Sequence, residues 1–442
     1  MPGRLEFTFS AAPDPARRRE ERGPTRLLVL GDFSAASARP RPPLEDRPTH
    51  RVDLDNLSEV LARLAPAVQA AGQNVDFESL EDFHPDSLHA RLPLFQALRE
   101  ARTRGPASGS DLLGQLLGGS AAAAAPAAAG GAEGLDALIR RVVAPHIVPD
   151  TAAATRSYLA AVDAASTEQM RRLLHDRAFQ ALEAAWRGVA WLVASLELGE
   201  DLELHLFDVR REELLADVVA AQGQLARTGL HRALADRWRN VPGAHGWSLL
   251  AGLFRFGPTD ADIGLLAALG ILARQAGGPF VAEADPALAG PDEARLAGWR
   301  TLRTSEAAPW IGLAAPRLLL RQPYGRGRDP VDAFAFEEVD AVPEHESLLW
   351  GNPALAVALL CGRARSTGGT PHEIGDLPAV SFERDGERVL QPCAERLLGE
   401  QATDALLAAG LIPLASHKDR NAVTLMRLQS VADPARALAG WA

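Results

Sequence analysis

Apolar and polar residues alternate at the start of the chain, which predicts a half-buried strand over residues 5–9. Its apolar positions are Leu5, Phe7 and Phe9. A continuous apolar run then predicts a second strand at residues 26–30. Because an exposed edge strand tends to pair with other strands, we expect the first strand to pair with the edge of a sheet.

The apolar spacing changes to three and four residues after Asn56, and this spacing predicts a helix over residues 57–64. Asn56 and Glu59 stand three residues apart at its start, which predicts a capping box. Another strand is predicted around residues 75–77, and Pro85 predicts the first turn of a further helix. The first part of the chain is therefore expected to form a small α/β unit.

Helical spacing returns in the second part of the chain. A long helix is predicted over residues 176–196, with an apolar position at every turn. Glu183 and Arg187 lie four residues apart on another face of this helix, where a modest ion pair is expected. A shorter helix is predicted before it, with the following apolar positions: Leu135, Leu138, Ile139 and Val142.

Strands and helices then alternate. Residues 202–207 show a period of two, which predicts a half-buried strand, and a helix is predicted over residues 212–222. Residues 247–256 and 277–284 predict two more strands, separated by a helix that starts near Asp262. Such alternation is typical of an α/β protein built from mixed α+β layers.

A tract of small residues divides the chain. Residues 118–134 read GGSAAAAAPAAAGGAEG and carry a single charge, so they lack the large apolar side chains that a core requires. We interpret this tract as a flexible linker between a smaller domain, residues 1–117, and a larger domain, residues 135–442. The alternative is a surface loop within one domain, although structureless loops of this length are uncommon in compact domains.

Composition excludes several classes of protein. The formal net charge of −11 and the lack of a dense basic stripe argue against a nucleic-acid binder. Two cysteines, Cys361 and Cys393, are too few for a disulfide framework, which favours a reduced, cytoplasmic setting. The chain begins without the apolar segment of a signal peptide and contains no apolar stretch of about 18 residues. Direct membrane insertion is therefore not expected.

One stretch looks at first like an active site. The strand at residues 26–30 runs into Asp32 and a loop that carries further acids. General acid–base chemistry needs two carboxyl groups in contrasting environments, but here the acids alternate with arginines. A solvated loop with paired charges is the preferred interpretation. Besides Asp32, the charged residues of this loop include Arg41, Glu45, Asp46, Arg47, Arg51, Asp53 and Asp55.

A second candidate cluster comprises His372, Glu373 and Asp376. Metal ligands on a helix stand three or four residues apart on one face, whereas these residues follow glycines and a proline in a predicted loop. We also find no P-loop, no dinucleotide-binding fingerprint and no serine-nucleophile elbow. The residues alone therefore predict no enzyme activity, no metal and no cofactor, and an α/β ligand-binding protein or enzyme that uses this cluster is kept as an alternative.

Several stretches together resemble the contractile sheath of the bacterial type VI secretion system. The first unit is similar to the small sheath subunit (TssB or VipA) in LLVLGDFS, DRPTHRVDLDNLSEVLARLAP and VDFESLEDFHPDSL. The larger unit is similar to the large subunit (TssC or VipB) in LLHDRAFQALEAAWRGVAWLV, PRLLLRQPYGR with FAFEE, LLWGNPALA, GDLPAV and AGLIPLASHKDRNAVTLMRLQS. The stretches occur in the family's order over nearly the whole chain.

The resemblance implies a mechanical role. In that family, small and large subunits pair and stack as a helical sheath around an inner tube, on a baseplate, and neighbouring subunits exchange strands. Leu5, Phe7 and Phe9 lie at the position of such a linking strand. The segment around Leu135, Leu138, Ile139 and Val142 lies where a ClpV-type AAA+ ATPase recognises a helix of the large subunit. Expected partners are other sheath subunits, the tube protein, the baseplate and this ATPase.

Two departures from the family qualify these expectations. Both subunits occur here in one polypeptide, which implies a fixed one-to-one ratio. The resemblance to the large subunit stops soon after Ser430, so the family's usual C-terminal extension is expected to be missing. A non-polymerising adaptor at a sheath end or at the baseplate therefore remains an alternative to a sheath subunit.

Overall fold

A computed structural model describes residues 23–105, 151–237, 245–367, 369, 372–384, 386–418 and 420–441. Two predicted elements, the strand at residues 5–9 and the helix at residues 135–142, lie outside the described residues. The tract at residues 118–134 lies outside them as well. Within the described ranges, no helix is both long enough and apolar enough to cross a lipid bilayer.

A nine-stranded sheet forms the centre of the described chain, in the order β11-β15-β14-β8-β7-β6-β1-β5-β2. The six strands from β14 to β5 run parallel to one another, and the strands at both ends are antiparallel to their neighbours. The strands of this sheet are β1 (Thr25–Gly31), β2 (His50–Val52), β5 (Leu202–Asp208), β6 (Leu249–Phe256), β7 (Phe280–Ala284), β8 (Ile311–Ala315), β11 (Glu373–Ile374), β14 (Ile412–Ser416) and β15 (Val423–Leu425).

Within the described ranges, three antiparallel pairs lie outside the sheet: β3 with β4, β9 with β10, and β12 with β13. Helices connect most of the parallel strands. The strands of the pairs are β3 (Ala67–Ala70), β4 (Gln73–Asp76), β9 (Leu318–Leu319), β10 (Trp350–Gly351), β12 (Val380–Arg384) and β13 (Glu387–Gln391). The helices are α1 (Leu57–Leu64), α2 (Pro85–Arg91), α3 (Pro93–Arg104), α4 (Thr151–Leu174), α5 (Arg177–Ser195), α6 (Arg211–Ala220), α7 (Asp260–Ala276), α8 (Ala297–Arg303), α9 (Ala354–Thr367) and α10 (Glu400–Ala408).

The first and second parts of the chain share this sheet. Strand β1 lies between β5 and β6, with Val29 opposite both Leu206 and Ala251. Because a central parallel strand is hydrogen-bonded on both sides and covered on both faces, the two parts form one hydrogen-bonded layer. The first and second parts of the chain therefore pack directly on each other.

Each face of the sheet has its own apolar core. Side chains alternate along a strand, so Leu27 and Val29 of β1 join one core while Leu28 and Leu30 join the other. Helices α1, α3, α4, α5 and α9 contribute to the first core, and α6, α7, α8 and α10 contribute to the second. The central strands are thus covered on both faces, as parallel sheets require.

The α/β fold class is confirmed, and several local predictions need correction. Asn56 precedes α1 without a side-chain capping bond, because its Oδ1 accepts from the backbone N–H of Asp53, 3.1 Å away. The helix predicted at Pro85 is two helices, α2 and α3. Strand β5 is buried on both faces and not on one, since only Glu203 is partly exposed.

Candidate assembly surfaces

The carboxyl end of β1 is where an open α/β sheet usually binds a ligand. The chain leaves β1 toward α1 on one face and leaves its neighbours β5 and β6 toward α6 and α7 on the other, an arrangement that in open α/β sheets places a crevice at the carboxyl end of β1. The loop with Asp32 follows β1, which explains why its sequence resembles the mouth of an active site.

Two arginines of this loop fill the carboxyl end of the sheet. The Arg41 guanidinium pairs with Asp32 and lies 3.3 Å from Asp208 Oδ2. Arg47 donates to the carbonyl oxygen of Asp208, 2.8 Å away, and to Glu213 Oε1, 2.7 Å away. The pairing of charges is confirmed, but the prediction of a solvated loop is wrong for Arg47, which is only 4% exposed.

The same arginines fix the charge of their carboxylate partner. Burial alone would raise the pKa of Glu213, but hydrogen bonds from Arg47 and from the Arg210 backbone, with the charges of Arg47 and Arg41, lower it to about 2. Glu213 is therefore a permanent anion and no general acid. The outer part of the loop is ordinary surface, where Asp53 accepts backbone N–H groups as a turn residue.

The cluster predicted at residues 372–376 is organised differently from the expectation. Glu373 belongs to β11, at the outer edge of the sheet, and not to a loop. Its carboxylate accepts two hydrogen bonds from Arg420, at 2.8 and 3.0 Å, and one from Thr424 at 3.4 Å. Sequence analysis missed Arg420 and Thr424, because both lie about 50 residues further along the chain.

The other two members of the predicted cluster have different surroundings. His372 is exposed, and Asp376 takes a positive φ of 57° in the turn after β11. Nowhere in the described ranges do three or more His, Cys, Asp or Glu side chains gather in a way that could hold a metal ion. Both cysteines are buried, and burial raises the pKa of Cys361 to about 12 and that of Cys393 to about 11.

The two edges of the large sheet are short. Strand β2 has three residues and β11 has two, so each offers few backbone groups to an incoming strand. Short edge strands are one of the ways in which proteins prevent unwanted pairing. The ends of the nine-stranded sheet are therefore poor places for assembly.

The hairpin of β12 and β13 is longer and less protected. Its five residue pairs run from Val380 opposite Gln391 to Arg384 opposite Glu387. Neither strand pairs with a further strand among the described residues, and Leu390 is 39% exposed. An antiparallel pair with two open edges can accept a strand from another chain.

The hairpin is nevertheless anchored to the body of the protein. Val380 is buried with Leu319, Leu348 and Trp350 in a small apolar cluster. Gln322 donates to the carbonyl oxygen of Ala379, 2.8 Å away, just before β12. The base of the hairpin is thereby fixed while its strands remain open at the sides.

A buried charge network joins α5 to the irregular segment after β9. Arg321 donates to Glu183 at 2.7 and 3.2 Å and to Glu338 at 2.7 and 3.0 Å. Arg187 donates to Glu183 at 2.7 Å and to the Tyr324 hydroxyl at 2.7 Å. The predicted pair of Glu183 and Arg187 exists, but it is part of this larger network, and Glu183 is fully buried.

The network holds its charges despite burial. Burial would raise the pKa of Glu183, but the charges and hydrogen bonds of Arg321 and Arg187 lower it. Glu183 comes from α5, Arg321 comes from the sequence PRLLLRQPYGR, and Glu338, the other carboxylate partner of Arg321, comes from FAFEE. These two motifs of the sheath resemblance thus meet at one fixed point.

Two predicted assembly segments lie outside the described residues. They are the linking strand, with Leu5, Phe7 and Phe9, and the ATPase-recognition helix, with Leu135, Leu138, Ile139 and Val142. Their roles stay predictions. What the structure describes is the body on which they would act.

Comparisons with known proteins identify both parts of the chain. Residues 2–120 match the family model described as type VI secretion system, VipA, VC_A0107 or Hcp2. Residues 156–432, more than half of the chain, match the VipB model, described as EvpB/VC_A0108, tail sheath N-terminal domain. The resemblance of the two units to the small and large sheath subunits is confirmed.

One relative is the type VI secretion system sheath protein TssC1 of Pseudomonas aeruginosa strain PAO1, which is 29% identical over 316 residues. The alignment covers 65% of this chain, and this chain spans 63% of that protein's length. With VipA and VipB segments in one polypeptide, the chain belongs to the VipB family of type VI secretion tail sheath proteins.

Proposed function

We propose that this chain is a structural subunit of a type VI secretion sheath that carries the small and the large sheath subunits in one polypeptide. The position of β1 is the main support. This strand comes from the VipA-like segment and lies between β5 and β6 of the VipB-like segment. A strand in the middle of the shared sheet makes the two segments one building block.

The proposal includes strand exchange between neighbouring copies. Residues 5–9 of one copy would add to the β12–β13 hairpin of the next, with main-chain hydrogen bonds supplying affinity. The open sides of the hairpin and the short edges of the large sheet support this choice. The alternation of Leu5, Phe7 and Phe9 would set the register, because a slip of one residue moves all three to the opposite face.

The remaining partners follow from the same role. A sheath subunit would contact other sheath subunits, surround an inner tube and start from a baseplate. A ClpV-type ATPase would recognise the segment around Leu135, Leu138, Ile139 and Val142. The filled crevice at the carboxyl end of β1 and the paired charge of Glu373 support a structural role over a catalytic one.

Co-expression with the neighbouring secretion genes, followed by negative-stain microscopy, tests the proposal. The wild-type chain should appear in tubular sheaths. Phe7→Pro removes a backbone donor and an apolar anchor, so it should abolish assembly while the melting temperature is unchanged. Ala11→Pro, just outside the strand, is the matched control and should assemble normally.

Leu390→Asp tests the receiving hairpin, because this exposed side chain lies on β13. It should weaken assembly as Phe7→Pro does. Normal sheaths from both variants would refute strand exchange through these segments. A wild-type chain found only at the ends of sheaths made by other subunits would identify the adaptor role, and a chain absent from all such assemblies would refute the proposed function.

A further inference from the structure

An open groove of about 540 Å³ lies beside the carboxyl ends of β6 and β7. Its floor includes Phe254 and Pro258, and its walls carry three arginines from three different elements. Arg211 begins α6, Arg255 belongs to β6, and Arg295 precedes α8. The fold therefore brings together cationic side chains that are distant in sequence.

The groove keeps an excess of positive charge. Arg211 pairs with Asp262, and Arg255 lies 3.1 Å from Asp285. Arg295 is exposed and has no ion-pair partner among the described residues. Among the residues that line the groove, three guanidinium groups thus face two carboxylates; the Glu283 carboxylate, 3.7 Å from Arg255, is not part of the lining, and the net charge of the chain is −11. This surface attracts anions, in contrast to the chain as a whole.

A surface loop of opposite charge lies elsewhere on the same chain. No lysine or arginine occurs between residues 329 and 362, whereas this stretch contains seven acids. We call residues 340–346 the acidic loop; Glu346 is 80% exposed, and Glu344 is exposed as well. Val342, 38% exposed, gives the loop an apolar side chain between its charges.

We propose that the acidic loop of a neighbouring copy docks into this arginine groove. Glu344 and Glu346 would pair with Arg295 and Arg255, and Val342 would cover Phe254 on the groove floor. Complementary charge on one chain selects a second copy as the occupant, because carboxylate–guanidinium pairs are directional as well as attractive. The inference rests on the proposed sheath function and adds a second contact, separate from strand exchange.

A binding experiment tests the contact without requiring a sheath. A fluorescent peptide of residues 339–348 is titrated into the full-length chain at about 50 mM and about 300 mM salt. Binding should weaken at the higher salt, because exposed charges are screened. Arg295→Glu should weaken binding by roughly tenfold or more, since it puts like charges together. A peptide with glutamine at positions 344 and 346 should bind as weakly.

Charge exchange in the co-expressed assembly tests the contact in place. Arg295→Glu and Glu344→Arg should each reduce the pelleted sheath, and their combination in one chain should restore it because the pair is then re-formed with its charges exchanged. Arg172→Glu, on an exposed part of α4, is the matched control and should leave the pelleted sheath unchanged. Equal melting temperatures of all variants exclude a folding defect.

The two failures are distinguishable. If the wild-type chain forms sheaths and neither the peptide nor the charge reversals have an effect, the groove contact is overturned while the proposed function stands. If the peptide binds through Arg295 but no sheath forms with any partner set, the proposed function fails and the groove remains a contact between copies. Binding that is unchanged by Arg295→Glu overturns the inference.

Discussion

Two buried glutamates, Glu183 and Glu283, differ in how closely arginines approach them. Glu183 accepts hydrogen bonds from Arg187 and Arg321, both at 2.7 Å. Glu283, on β7, lies 3.7 Å from Arg255 and 3.9 Å from Arg317, beyond hydrogen-bond distance. Each side chain is largely removed from water, so the difference lies in the contacts and not in burial.

The contacts decide which protonation state each glutamate prefers. Arginine contacts outweigh burial at Glu183 and lower its pKa. At Glu283, burial raises the pKa to about 7 against the attraction of Arg317 and Arg255, and Glu395 and Asp285 add to the rise. Arg317 is engaged instead by Glu395, at 2.8 Å. A distance about one ångström longer therefore separates a fixed ion pair from a carboxyl group that titrates near neutrality.

The largest expected effect is at Arg321. Arg321→Met would leave Glu183 and Glu338 as buried carboxylates without their main partner, which should destabilise the fold by about 3–5 kcal/mol. Urea unfolding at pH 7.5 measures this loss. Adding Glu183→Gln and Glu338→Gln to the same chain should recover much of the stability, because the unpaired charges are then gone.

The triple variant is the control for this comparison. If it is as unstable as Arg321→Met alone, packing of the Arg321 side chain, and not its charge, stabilises the segment after β9.

A smaller effect of opposite sign is expected at Glu283. Its folded pKa, about 7, lies above the unfolded value of about 4.5, so the folded state binds the proton more tightly. The contribution of Glu283 to the stability of the wild type should therefore fall as the pH rises from about 4.5 to about 7. Glu283→Gln removes this loss, and its gain over the wild type should be up to about 3 kcal/mol larger at pH 8 than at pH 4.

Unfolding curves at several pH values measure this difference. Asp285→Asn, near the same arginine, should give a smaller pH-dependent gain, because Asp285 only adds to the rise in the pKa of Glu283 that burial causes. A constant difference between Glu283→Gln and the wild type at all pH values would show that the pKa of Glu283 is the same in the folded and the unfolded protein.

Sequence periodicity predicted the parts of the fold that depend on local pattern. Helix α5 and strands β1, β6 and β7 occur where the apolar spacing placed them. The family resemblance predicted that the first part of the chain matches the small sheath subunit and the second part matches the large one. Local pattern could not show that β1 enters the middle of a sheet made by residues more than 170 positions away.

The site residues show the same division. The four-residue spacing of Glu183 and Arg187 predicted their ion pair. The contact between Glu183 and Arg321 could not be predicted in this way, because the two residues lie 138 positions apart in the sequence. Similarly, the alternation of acids and arginines in the opening loop predicted that their charges are paired. It did not predict the burial of Arg47, because that burial depends on a contact with Glu213, which lies 166 positions away in the sequence. The spacing of apolar residues shows only on which face of a helix or strand a residue lies. Whether that face is buried depends on how the whole chain packs.

The smallest effect is expected at the outer edge of the sheet, where Arg420 and Glu373 form a pair with the same chemistry in a solvated setting. The hydrogen bonds are short, at 2.8 and 3.0 Å, but the Arg420 side chain is 52% exposed. Water and salt screen such pairs, so Arg420→Ala should cost less than about 1 kcal/mol. Urea unfolding at about 50 mM and about 500 mM salt should show that even this small loss declines with salt. A loss as large as that of Arg321→Met would mean that distance alone, without burial, determines the strength of these pairs, and the contrast between the buried and the exposed glutamates would then be wrong.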